Sequence, residues 1–156
     1  MSSSVPSKTT KAWYFKAGEN KVKLIDYNPK DIHSLLECRT IDSQSIYTSK
    51  GIFTIFYNDN GLYEDTIFNK PASQVLGKLP IQWGTMTGNY IVKCSIEATD
   101  DDDENIDVDM PTIGFKEWIT LCSDVMLESH KRRAERMKAD GFKEVFNMGG
   151  FSISVA

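Results

Sequence analysis

The side chains best suited to nucleophilic or metal chemistry are three cysteines, Cys38, Cys94 and Cys122, and two histidines, His33 and His130. Their spacing supports neither use. An odd, widely spaced set of cysteines without Cys-x-x-Cys is not a disulfide framework. It reads as three buried, reduced thiols packing as small hydrophobes, which points to a reducing compartment, cytoplasm or nucleus. Neither histidine has a second histidine or a cysteine at helical spacing, and zinc needs three or four ligands. No metal and no cofactor is expected. Asn58-Asp59-Asn60-Gly61 carries the oxygen-rich side chains of a calcium loop, but alternate positions back from Gly61 meet Phe56, and apolar residues fill later ligand positions. The run is better suited to a turn, because Asn, Asp and Gly tolerate positive φ.

Gly77, Gly84 and Gly88 do not form a phosphate loop, since Gly77-Lys78 is followed by Leu79 rather than Ser or Thr. No serine stands in Gly-x-Ser-x-Gly. Glu64 and Asp65 are neighbours on a strand-like stretch and face opposite ways. Residues 100–109 hold seven acidic side chains in ten positions. Such a block repels itself, so residues 99–110 are expected to form a disordered loop, either merely solvated or an interaction segment. No catalytic residue emerges. A small hydrolase or nuclease would need a site assembled from distant positions.

The remaining candidate is a basic run, Lys131, Arg132, Arg133, Arg136 and Lys138. It either solvates a helix end, where cations complement the negative pole of the macrodipole, or meets an acidic surface or a phosphate group. Arginine favours bidentate contact with both. Arg132 and Arg136 lie four apart and share a helical face.

The elements that must position these residues follow from periodicity. Residues 1–11 are rich in Ser, Thr and Lys and are expected to be flexible, with a single domain over 12–156. Trp13, Tyr14 and Phe15 open the fold, and residues 21–25 alternate as a strand. Asn28 and Pro29 start a helix reaching Leu36. Strand character returns at 38–41 and at Ile46-Tyr47, with a polar break at 42–45. Lys50-Gly51 is a turn. Residues 52–57 are apolar on both faces and read as a central strand. The Asn58, Asp59, Gly61 turn is expected to send residues 62–68 back as its hairpin partner. Asn69 caps a helix with Pro71 in its first turn, Ala72, Val75 and Leu76 facing inward, and Gly77 ending it. Residues 89–96 form a strand with Tyr90, Val92 and Cys94 on one face. Residues 114–139 form one long helix whose stripe is apolar at Phe115, Trp118, Ile119, Cys122 and Met126 and turns basic at Arg133. A hairpin over 142–155 closes the chain. The fold class is α+β, a mainly antiparallel sheet with short helices and one long C-terminal helix.

Composition sets the outer bounds. A length of 156 residues with 40% apolar and 26% charged side chains suits one soluble domain with a real core. A net charge of −4 argues against nucleic acid as the main partner. The apolar runs are too short to span a bilayer, and Met1-Ser-Ser-Ser-Val-Pro lacks the apolar region of a secretory signal.

Three pieces occur in order: Ile55-Phe-Tyr-Asn-Asp-Asn-Gly-Leu, then Asn69-Lys-Pro-Ala72, then Thr87-Gly-Asn-Tyr-Ile-Val. Together they resemble domain-of-unknown-function family 3846, short proteins common in phages, viruses and mobile elements. The matching pattern covers about residues 52–96. The resemblance implies a small α+β fold and a viral or phage-encoded accessory factor acting on host machinery or defence, in the cytoplasm or nucleus of an infected cell. It carries over no catalytic residues. The expected function is therefore non-enzymatic binding, with a host protein or a nucleotide or other phosphate-bearing ligand as partner. Self-association as a homo-oligomer, or a structural self-assembling role, stands beside it.

Overall fold

The computed structural model describes residues 9–59, 67–80, 86–97 and 105–139, together with the backbone of 145–148 and 151–154. The strand with apolar side chains on both faces, β4 (Gly51–Asn58), lies inside an antiparallel sheet. The sheet also contains β1 (Thr10–Phe15), β2 (Lys23–Tyr27), β3 (Ile41–Thr48), β5 (Tyr90–Ile96) and β6 (Ile106–Val108), in the order β2-β1-β5-β4-β3. On the edge of β5 away from β4, β1 pairs with residues 90–92 and β6 with residues 94–96. The protein is α+β: the sheet carries α1 (Ile32–Leu36), α2 (Lys70–Val75) and the 25-residue α3 (Phe115–Ala139). Strands β7 (Val145–Met148) and β8 (Phe151–Ser154) pair as the expected C-terminal hairpin.

Alternation along the strands divides the core in two. Trp13, Phe15, Phe53, Ile55, Tyr90, Val92 and Cys94 face α2 and α3. Ala12, Tyr14, Tyr27 and Ile91 lie on the other face with Leu36 of α1. Trp118 of α3 is fully buried, with its ring edge-on to Trp13 at 5.2 Å and to Phe53 at 5.8 Å. Its indole N–H has no hydrogen-bond partner among the described residues, so apolar packing in this core seats it. Both predicted helix starts are present. Asn28 Oδ1 accepts from the Lys30 amide at the opening of a 3-10 turn, Pro29–Asp31, that leads into α1. Asn69 Oδ1 accepts from the Ala72 amide at 3.0 Å, while its Nδ2 donates to the carbonyls of Phe15 and Gly88. One cap thus starts α2 and ties it to β1.

Several expectations are corrected. The polar stretch at 42–45 does not break a strand: β3 runs through it in unbroken register with β4, from Ile41↔Asn58 to Thr48↔Gly51. It tolerates polar side chains because it is the last strand of the sheet. Asp42 accepts from the Tyr57 hydroxyl, and Ser45 shares a hydrogen bond with Thr54. The hairpin partner of β4 is therefore the strand before it, not residues 62–68, and β5 occupies its other edge. Gly51 makes that hairpin possible. Its φ is +131°, and a Cβ there would meet Cys94 Sγ at 2.8 Å, so backbone conformation and space both call for glycine. Gly61 and residues 62–66 lie outside the described residues; Phe68 forms an isolated bridge with Thr87. The end of the acidic block is not a disordered loop. Residues 106–108 form β6, where Asp107 pairs with Lys93 at 2.9 Å, and Asp109 accepts from the Lys11 amide. The apolar Ile106 and Val108 let this part join the open edge of β5; residues 98–104 lie outside the described set. At the N-terminus, Thr10 and Lys11 already belong to β1.

Candidate functional site

Helix α3 changes character along its length. Trp118 and Cys122 are buried in its first half, and Val125 and Met126 still pack against the core. From 127 to 136 every residue is exposed. No side chain from 127 to 136 is buried, so nothing in the core requires these side chains to be what they are.

The basic run sits on this part of the helix. Arg132 Nε lies 3.3 Å from Glu128 Oε1, an exposed i,i+4 pair. Arg133 and Arg136 form no ion pair among the described residues, and neither do Lys131 and Lys138. The helix runs beside β3 and encloses a groove with it. One part, about 830 Å³, is lined by Tyr47, Asp124, Val125, Glu128, Ser129, Arg132, Arg133 and Arg136. The adjoining part, about 330 Å³, is lined by Gln44, Ser45, Ile46 and Tyr47 of β3 and by Val125, Met126, Ser129, His130 and Arg133. Tyr47, Val125, Ser129 and Arg133 belong to both, so the two parts form one trough. Its acidic groups, Asp124 and Glu128, precede its arginines along the helix. Lys131 and Lys138 are exposed but do not line it.

The β3 wall has a particular form. Four consecutive residues, 44 to 47, touch the trough. Side chains on one face of a strand are alternate residues, so a consecutive set means that the trough meets the strand's edge. Nothing among the described residues pairs with that outer edge. Every second residue of an antiparallel strand turns its N–H and C=O toward the same side, so β3 presents a row of backbone donors and acceptors there.

The turn residues chosen from sequence have structural work instead. Asn58 is buried at the end of β4, and the Asp59 amide donates to the Thr40 carbonyl. Asn69 is the buried cap described above. A second polar cluster joins Asn89, Tyr14 and Glu37: Asn89 Nδ2 donates to Glu37 Oε2 at 2.7 Å and to the Leu35 carbonyl, and its Oδ1 accepts from the Ala17 amide. The Tyr14 hydroxyl donates to the same Leu35 carbonyl, and burial, then the Glu37 charge, pushes its pKa up. These groups satisfy one another and hold α1 against β1 and β5. Burial also raises the thiol of Cys122 to about 12 and that of Cys94 above its ordinary value, which keeps both protonated and unreactive. Among the described residues no three His, Cys, Asp or Glu side chains converge as metal ligands, and no helix is long and apolar enough to cross a membrane.

Reading from the sequence located Arg132, Arg133 and Arg136 but missed Gln44, Ser45 and Tyr47. The polar stretch before Ile46 was the available signal: four polar residues in a row, Asp42 to Ser45, suit an edge strand better than a break. No protein-family model, no curated protein and no solved structure matches this chain.

Proposed function

We propose that the protein is a non-enzymatic binding module whose trough between β3 and α3 takes an acidic, extended segment of a partner protein. The observation that carries this is the pairing of two walls, an open strand edge on one side and Arg132, Arg133 and Arg136 on the other. An added strand gains main-chain hydrogen bonds along β3, and its side chains select the partner. Carboxylates of that segment meet the guanidinium groups of Arg133 and Arg136, which lack a carboxylate of their own among the described residues. The edge is otherwise poorly protected: β3 is eight residues long, with no Lys, no Pro and no bulge in its register. Two copies pairing through β3 would bring their arginine-bearing helices together, so like-charge repulsion turns the edge toward an acidic partner rather than a second copy. With the resemblance to family 3846, the reading extends to a phage- or virus-encoded accessory factor engaging a host protein.

The test is fluorescence anisotropy with a labelled octapeptide of alternating Glu and Val. It is expected to bind, to weaken as salt rises, and to lose at least tenfold in affinity when Arg133→Glu and Arg136→Glu are combined. The same peptide N-methylated at alternate residues is expected not to bind. Undiminished binding to the doubly reversed protein would sink the acidic reading, and equal binding of the N-methylated peptide would sink strand addition.

A further inference from the structure

A second cavity, about 950 Å³, opens on another side of α3, beside its first turns. Its apolar lining includes Val22 from the β1–β2 connection, Val75 of α2, and Phe115 and Ile119 of α3. Three lysines join them from three separate parts of the chain: Lys21 between β1 and β2, Lys78 just after α2, and Lys116 in the first turn of α3. No carboxylate is among its described lining residues. None of the three forms an ion pair among the described residues, so each ammonium group is open to an anion in the cavity.

Ammonium groups gathered around an apolar floor repel one another, and an anion relieves that repulsion. A purely apolar ligand would leave it in place, and a purely ionic one would leave Phe115, 42% exposed, in water. The volume lies in the range of sites for small molecules. We infer that this cavity is a binding site for a small anionic amphiphile, an apolar chain ending in a carboxylate or phosphate. The chain lies along Val75, Phe115 and Ile119, and the head group is held by Lys21, Lys78 and Lys116. Lysines act here as mobile point charges, which suits a head group of either geometry better than a fixed fork would. This site shares no lining residue with the trough beside β3, so it stands apart from the proposal for that trough.

Titration calorimetry of the full chain with decanoate tests the assignment, with decyl phosphate and decyltrimethylammonium alongside. One saturable equivalent of decanoate is expected. Affinity should rise about three- to fourfold for each CH₂ added from hexanoate to decanoate, the worth of a buried methylene. Lys78→Glu combined with Lys116→Glu is expected to weaken decanoate at least tenfold with an unchanged melting temperature, while Arg133→Glu with Arg136→Glu leaves it as it was. Decyl phosphate in place of decanoate identifies the head group: whichever of the two binds more tightly names it, and failure of both overturns the site. Equal binding of the cation, an affinity independent of chain length, or loss through the arginine pair rather than the lysine pair would each overturn it as well.

Discussion

Residues 115–126 and residues 127–139 form one continuous helix, yet they are held by different forces. In the first half, Trp118 and Cys122 are fully buried in the core cluster formed with the sheet and α2. In the second half an apolar side chain, Leu127, is 57% exposed, and the one ion pair among the described residues is the solvent-facing Glu128–Arg132. A helix can continue past its support because each added residue gains a backbone hydrogen bond once the first turns are set. The first half supplies that nucleus and the second half is free to carry charge. The lesson is that the docked part is constrained by packing and the projecting part by what it meets.

The largest expected effect breaks the docked half. Trp118→Ala removes a ring packed between Trp13 and Phe53 and is expected to cost ~3–5 kcal/mol, read as a large fall in melting temperature. An unchanged melting temperature would mean that the first half does not rest on the sheet.

A next, smaller effect tests the packed core by pH, through Tyr90 of β5 and Cys122 of α3, with Tyr27 and Tyr57 raised to about 12 in the same way. Burial raises the hydroxyl of Tyr90 and the thiol of Cys122 to about 12, from ordinary values of 10.0 and 9.0. Both groups are neutral when protonated, and the folded state holds these protons more tightly. Their contribution is therefore fully present below pH 9 and is lost as pH rises from 9 toward 12. Chemical denaturation at pH 8, 10 and 11.5 should show falling stability over that window.

The smallest effects belong to the projecting half. Leu127→Ala is expected to change stability by no more than ~0.5 kcal/mol, as an exposed substitution does. Arg132→Ala forfeits only the exposed i,i+4 pair, about 0.3 kcal/mol. A loss of several kcal/mol from either, measured by urea denaturation, would show that this half is packed after all and erase the contrast.

Much of this contrast was legible before folding was considered. The three-four spacing from Phe115 to Met126 and the cations after Ser129 mark a helix that is apolar first and basic second. The caps at Asn28 and Asn69 were equally clear, because capping is settled between a side chain and amides two or three residues away. Strand partners were not. Asn58 to Gly61 has strong turn chemistry, yet β4 pairs backward through Ser49 and Lys50. Pairing is decided by which edges remain open once the sheet assembles, and no local pattern carries that information. The same holds for β6, where three residues at the end of an acidic block join the edge of β5 that β1 leaves uncovered.

By itself, then, the chain's sequence determined its α+β class, its central strand, its two helix caps and the position of the arginines on the long helix. These are properties of periods of two and 3.6 residues and of contacts between near neighbours. Only the tertiary structure decided that β3 is the terminal strand, that its open edge faces those arginines, and that Lys21, Lys78 and Lys116 surround one cavity. Each of these joins residues far apart in sequence, brought together by burial of Trp13, Phe53 and Trp118 in a shared core, a cooperative outcome that no single segment encodes.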